Sequence, residues 1–201
     1  MKALLIDFGN VIAFFDHRRA CRALASMSAR AMTADDVFNE VFLSQLEPDV
    51  DRGRIGSSEF LSLLRSQLQL VGTDEEVVRA WCDIFEPNAH IVAQLPALRK
   101  LAGRLVLVSN TNELHYRWIA REFAGPLAWF DAQVLSHQVG LRKPEPAMYA
   151  HAARLAGAGA DECVFVDDKP EFVEAARAMS MRGILYTPGL DLVALAGADW
   201  P

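Results

Sequence analysis

Five short apolar runs constrain this chain most: ALLI (3–6), LVLV (105–108), AQVL (132–135), CVFV (163–166) and GILY (183–186). Each is rich in Val, Ile or Leu, lacks polar alternation and stops on a polar residue or turn. Such runs suit strands covered on both faces. Between them lie segments with apolar residues three and four apart, such as Leu114, Trp118 and Ile119, or Phe172, Ala175, Ala176 and Met179. That spacing predicts helices with one buried face. Strand alternating with helix predicts an α/β fold, a doubly wound parallel sheet.

Residues 14–88 break the rhythm, with no evident strand. Thr33 can cap a helix carrying Val37, Phe38, Val41 and Phe42. Ser57 or Ser58 can open another that places Leu61, Leu64, Leu68 and Val71 on one face. The run Thr73-Asp-Glu-Glu76 reads as a capping box ahead of Val77, Trp81 and Ile84. The expected organisation is a sheet domain of residues 1–13 plus 89–201, with an all-helical insertion at 14–88. At 201 residues there is room for both. Residues 196–201 are expected to form a frayed tail.

A net charge of -6 without a Lys/Arg block argues against binding to nucleic acid or an anionic membrane. Cys21, Cys82 and Cys163 are far apart and odd in number, as expected for reduced core thiols. No stretch resembles a signal peptide or a membrane span, so the expectation is a soluble cytoplasmic protein, monomer or homodimer, acting on a small molecule.

Three of the runs end on residues able to do chemistry: Asp7, Ser109 and the pair Asp167-Asp168. In a parallel sheet all strand carboxyl ends share one edge, where ligands bind at the point at which strand order reverses. A fourth member, Lys143, follows AQVL in the stretch GLRKPEP, with Pro144 expected to open a helix. Crowded carboxylates repel unless a cation lies among them, and an all-oxygen set suits Mg²⁺. A lysine and a hydroxyl beside them would seat a phosphoryl group. One carboxylate could then attack phosphorus.

Taken in order, Asp7-Phe-Gly-Asn-Val11, Leu107-Val-Ser-Asn110, Lys143-Pro144 and Val166-Asp-Asp168 resemble the four motifs of the haloacid dehalogenase superfamily. The similarity is strongest to its phosphatase branch with a helical cap after the first motif, including bacterial sugar-phosphate phosphatases with Gly-Asn after the nucleophile. The resemblance implies a Rossmann-like core and a small phosphorylated substrate, with Asp7 as the nucleophile that forms an aspartyl-phosphate. It further implies that Ser109 and Lys143 hold the phosphoryl oxygens. Asn110, directly after Ser109, is expected either to orient the nucleophile or phosphate or to serve as a turn residue. Mg²⁺ would rest on Asp7, the carbonyl of Gly9, Asp167 and Asp168.

Gly9 is the departure. The superfamily's phosphatases usually carry Asp there, as the acid that protonates the departing oxygen. Such a group contributes roughly a hundred- to ten-thousand-fold, so its loss could cost about 3 to 5 kcal/mol of barrier. Asp16 and His17 are the nearest substitutes in sequence. Three readings follow: an Mg²⁺-dependent phosphatase, a weakly catalytic protein that binds a phosphorylated metabolite, and a metal-free 2-haloacid dehalogenase. The paired Asp167-Asp168 counts against the last. His90, His115, His137 and His151 lack ligand spacing and are expected on helix surfaces or in the core, and Trp81, Trp118 and Trp129 are expected to pack.

Overall fold

The computed structural model describes residues 2–197. The chain begins with strand β1 (Ala3–Ile6) and strand β2 (Ala13–Phe15), followed by helices α1 (His17–Ser26), α2 (Ala34–Val41), α3 (Leu46–Asp51), α4 (Ser57–Leu68) and α5 (Asp74–Cys82). Strand β3 (Phe85–Pro87), helices α6 (Ala89–Val92) and α7 (Leu95–Leu101), and strand β4 (Arg104–Ser109) come next. They lead to α8 (Glu113–Glu122), α9 (Ala124–Leu127), β5 (Ala132–Leu135), α10 (Ser136–Val139) and α11 (Pro146–Ala156). The chain closes with β6 (Cys163–Asp167), α12 (Pro170–Ala178), β7 (Arg182–Leu185) and α13 (Leu192–Gly197).

All five apolar runs become strands of one parallel sheet, ordered β5-β4-β1-β6-β7. Successive residues of a strand face opposite sides. Leu4, Ile6, Leu105, Leu107, Val164 and Val166 therefore join one core cluster with Leu95, Leu98 and Ile119 from α7 and α8. Leu5, Val106, Val108 and Phe165 join the other, against Met148, Tyr149 and Ala152 of α11 and Ala176 of α12. This two-sided burial explains the missing alternation. After β1 the chain builds outward through β4 and β5, then returns to β1's other side with β6, so strand order reverses at β1.

Helices α1 to α5 enclose a third cluster of their own, including Leu24, Val41, Phe60, Leu64, Leu68, Val77 and Trp81. Thr33 and Thr73 both form the expected capping boxes, with Asp36 and Glu76. The stretch expected to lack strands nonetheless holds most of a two-stranded antiparallel ribbon. Phe14 pairs with Glu86 and Phe15 with Phe85, joining the two crossings between lobe and sheet. Strands of three residues carry no usable periodicity, and their pairing spans about seventy residues, which is why the sequence did not reveal them. Val71 also departs from expectation. Helix α4 stops at Leu68 because Gln69 turns left-handed (φ 50°), leaving Val71 exposed.

Pro144 does not open a helix; α11 starts at Pro146. A residue before proline is held away from helical geometry, and Glu145, at ψ 128°, is extended for that reason. Among the described residues no helix is long and apolar enough to cross a membrane, and all three cysteines are free and buried. The expected tail at 196–201 lies mostly outside the described residues.

Candidate active site

Register brings the chemistry together. Ile6 pairs with Leu107 on one side and Val166 on the other, so Asp7 and Asp167 leave neighbouring strands at one level, and Ser109 ends β4 just beyond. The amide of Asp7 donates to the carbonyl of Val166 at 2.9 Å, extending the ladder to the site itself. Lys143 reaches in from the loop between α10 and α11. Its Nζ lies 2.7 Å from Asp7 Oδ1 and 2.6 Å from Asp167 Oδ2. Asp7, Asp167 and Lys143 are all buried. Asp167 Oδ1 accepts from the Lys169 amide at 2.9 Å, so both its oxygens are engaged.

Asp168 completes the group: Asp7, Asp167 and Asp168 each place a carboxylate oxygen within 4.8 Å of the others. Asn10 Nδ2 donates to Asp168 Oδ2 at 2.9 Å. Asn10 is left-handed (φ 55°), a conformation that asparagine tolerates better than most residues. It turns the chain so that Phe8 O accepts from both Ile12 and Ala13. Asn10's part was legible only as half of an unusual Gly-Asn pair.

The electrostatics suit a cation. Burial holds the Asp7 carboxyl above its ordinary range, against the pull of Lys143, with Asp167 and Asp168 adding to the rise. Burial likewise raises Asp168, opposed by its bond from Asn10. Burial disfavours the Lys143 ammonium, yet Asp7 and Asp167 together hold its pKa above normal. Three carboxylates, of which Lys143 pairs with only Asp7 and Asp167, form an oxygen-rich set that fits a hard divalent ion.

Asn110 grips the loop that carries Lys143. Its Oδ1 accepts from the Lys143 amide at 2.9 Å and its Nδ2 donates to the Lys143 carbonyl at 3.0 Å. The side chain thereby fixes the main chain that delivers Lys143. Ser136 Oγ braces the same strand end, accepting from the Thr111 amide at 2.8 Å and donating to its carbonyl at 2.9 Å.

A cavity opens beside this cluster, between sheet edge and helical lobe. Its floor includes Phe8, Gly9, Ser109 and Asn110, and its lobe wall includes Phe15, His17, Glu47 and Asp51. A Cβ added at Gly9 would lie 2.8 Å from Phe15 Cε1, so the aromatic ring occupies the space a side chain there would need. Asp16 is turned elsewhere: it caps α1 through the Arg18 amide at 2.8 Å and pairs with Arg22 at 3.0 Å. His17 does line the cavity, stacked on Phe42 at 4.4 Å. Burial and the Lys169 charge push its pKa down to about 4.

On one side the lobe is tied down by residues that the sequence did not single out. Arg142, next to Lys143, pairs with Asp51 at 3.2 Å, and Asn112 Nδ2 reaches the same carboxylate at 3.4 Å. Arg52 pairs with Glu145. On the far side Trp81 stacks on the buried His115 at 5.0 Å, and a ring nitrogen of His115 meets the Trp81 carbonyl at 3.2 Å. Burial drives that histidine down to about 3, which keeps it a neutral packing group.

Comparison with known proteins agrees with this arrangement. The chain is 29% identical over 175 residues to D-ribitol-5-phosphate phosphatase of Bacteroides thetaiotaomicron, covering 84% of this chain and 83% of that protein. It is 29% identical over 149 residues to sesquiterpene phosphatase astK of Aspergillus oryzae, covering 70% and 71%. The structure of a haloacid dehalogenase family enzyme from Bacteroides thetaiotaomicron, in complex with magnesium and inorganic phosphate, superposes with a TM-score of 0.84. The identity there is 22%, and 97% of this chain and 98% of that one are covered. A family profile described as haloacid dehalogenase-like hydrolase matches residues 1–180, and the chain belongs to that family.

Proposed function

We propose that the protein is an Mg²⁺-dependent phosphatase that hydrolyses a small phosphorylated metabolite, a sugar or polyol phosphate, through an aspartyl-phosphate on Asp7. The observation that carries this reading is Lys143 Nζ lodged between Asp7 and Asp167, with Asp168 completing a three-carboxylate group beside a cavity. The phosphatase names of the two relatives support it, as does the magnesium and phosphate complex of the similar structure.

Asp7, Asp168 and the Gly9 carbonyl would hold Mg²⁺. When bound, the ion neutralises negative charge on the phosphoryl oxygens and between the carboxylates. Asp168 is the better direct ligand, because both oxygens of Asp167 are committed to Lys143 and the Lys169 amide. The role of Asp167 is then to hold Lys143 in place. Lys143 and the Ser109 hydroxyl receive the phosphoryl oxygens, and Asn110 positions Lys143 by gripping its main chain. Attack by the Asp7 carboxylate forms an O–P bond and expels the substrate's alcohol oxygen. Residues 1–13 plus 89–201 serve as the catalytic domain and 14–88 as a cap that selects the substrate.

The test is phosphate release from a panel of polyol and sugar phosphates, including D-ribitol 5-phosphate and glucose 1-phosphate, in Mg²⁺ and in EDTA. Expected are Mg²⁺-dependent turnover, its loss in Asp7→Asn, and phosphate trapped on Asp7 after acid quench. Tight metabolite binding without turnover would replace this reading with that of a binding protein. Halide release from a 2-haloacid in EDTA would replace it with that of a dehalogenase.

A further inference from the structure

We propose that Glu47, carried by the helical lobe, is the general acid and base of the reaction, taking over the proton transfers for which position 9 has no side chain. This rests on the phosphatase reading above. Residue 9 cannot do the work, and Phe15 fills the space beside it. Asp16 faces away from the cavity, engaged with Arg22 and the start of α1.

Two carboxyls, Glu47 and Asp51, line the same cavity as Ser109, one helical turn apart on α3. Asp51 is already bound by Arg142 and Asn112. Among the described residues, no group hydrogen-bonds or pairs with the Glu47 carboxyl, which is half-buried in the cavity wall. The pair that binds Asp51 also anchors the C-terminal end of α3 over the sheet edge. So does Gly53, which is left-handed (φ 68°) and passes close against the His137 carbonyl, where a Cβ could not fit. Glu47 is therefore presented from a fixed helix rather than a free loop.

Its surroundings suit a proton carrier. Burial and the neighbouring Asp51 push its pKa up to about 7, with Arg142 and Lys169 opposing. The other titratable groups on the cavity wall are His17 from α1 and His115 from α8. A group poised near 7 can both donate and accept a proton at neutral pH. His17, held at about 4, would be protonated in only about one molecule in a thousand at pH 7.

The steps balance. Asp7 bonds to phosphorus, the P–O bond to the alcohol breaks, and the departing oxygen takes the Glu47 proton. In the second step the Glu47 carboxylate takes a proton from water as the resulting hydroxide attacks phosphorus. Asp7 is released as a carboxylate, and Glu47 is again protonated.

The decisive experiment compares wild type with Glu47→Gln on the best alkyl phosphate of the panel and on p-nitrophenyl phosphate, whose leaving group needs no proton. Expected is a loss of about a hundredfold or more in kcat/KM on the alkyl phosphate, against less than threefold on the aryl ester. With the aryl ester, kcat should still fall, and a burst of one p-nitrophenol per protein should appear, because water activation is lost. The fall in the alkyl rate above pH 7 should vanish from the variant's profile. Glu47→Asp should restore part of the alkyl rate, and His17→Gln should discriminate between the esters no more than wild type does. Equal effects of Glu47→Gln on the two kcat/KM values overturn the assignment while leaving the phosphatase reading standing. A wild type that cleaves only the aryl ester overturns the assignment as well. No turnover of either ester by wild type overturns the phosphatase reading and the assignment with it.

Discussion

Replacing Lys143 with methionine removes the only side-chain cation paired with Asp7 and Asp167 among the described residues, while keeping much of the volume. At 2.7 and 2.6 Å each contact has a Coulomb attraction on the order of 6 kcal/mol at an effective dielectric near 20. Burying each ion costs several kcal/mol in the opposite direction, so the intact trio contributes little net stability. Deleting the cation alone is different, because the carboxylates keep their desolvation penalty without its compensation. Breaking a buried pair in this way costs about 3 to 5 kcal/mol. For a chain of this size that is a fall in Tm of roughly 6 to 20 °C, at about 2 to 4 °C per kcal/mol. The sign of the pH effect follows from Asp7. Its folded pKa is already raised by burial, and losing Lys143 raises it further. The folded state then binds more protons than the unfolded chain between pH 4 and 7, so acidification across that window restores stability. Mg²⁺ should likewise raise the Tm of Lys143→Met more than that of wild type. Thermal unfolding at pH 5 and 7, with and without Mg²⁺, reads all three effects. A Tm within 2 °C of wild type at pH 7 in EDTA, with no gain at pH 5, would refute this electrostatic account.

Three further changes test separate parts of the structure. Gly9→Asp should not raise turnover, because its Cβ meets Phe15; overpacking of about 1 to 3 kcal/mol should appear in denaturant unfolding, and adding Phe15→Ala should relieve it. Asn110→Ala leaves the main-chain N–H and C=O of Lys143 without their partner, at a cost of about 1 to 3 kcal/mol for each buried group left unpaired. Its kcat should fall with little change in the Mg²⁺ concentration needed for half-activity, and an unchanged kcat would show that Lys143 is held by other means. Thr73→Ala removes the cap of α5 and should lower stability by about 1 kcal/mol, with phosphatase kinetics unaltered.

The sheet was readable because each of its strands is a local signal: a four-residue, largely apolar run containing Val, Ile or Leu and closed by a polar residue or turn. Asp7, Ser109 and Asp167-Asp168 were readable for the same reason, since a parallel sheet converts strand ends into neighbours. Lys143 was readable from its position after such a run. The ribbon of Phe14-Phe15 and Phe85-Glu86 was not, because three residues per strand leave no period to detect and the partner is remote. Asn110 was noticed, but its bonds depend on where a loop 33 residues away returns. Glu47, Asp51 and Arg142 were invisible for a stronger reason. On a six-residue helix and in a loop they read as ordinary solvated charges, and only the docking of α3 turns them toward the cavity.

On the proposed assignment, the division of labour between lobe and sheet bears on selectivity. The nucleophile, the lysine and the carboxylates that would hold Mg²⁺ are fixed by the sheet and its loops, so they are in place whether or not a substrate fills the lobe's side of the cavity. The proton carrier belongs to the lobe, and its position depends on Arg142 and Asn112 gripping Asp51 one turn along. A substrate that fits poorly against α3 can reach Asp7 but would lack a proton for its departing oxygen. Discrimination would then fall on the bond-breaking step as well as on binding, and only for substrates whose alcohol needs that proton. An acid at residue 9 would sit on the same loop as Asp7 and serve every phosphate ester that entered. Glycine there, with Phe15 closing the space, makes the identity of the alcohol matter to the chemistry itself.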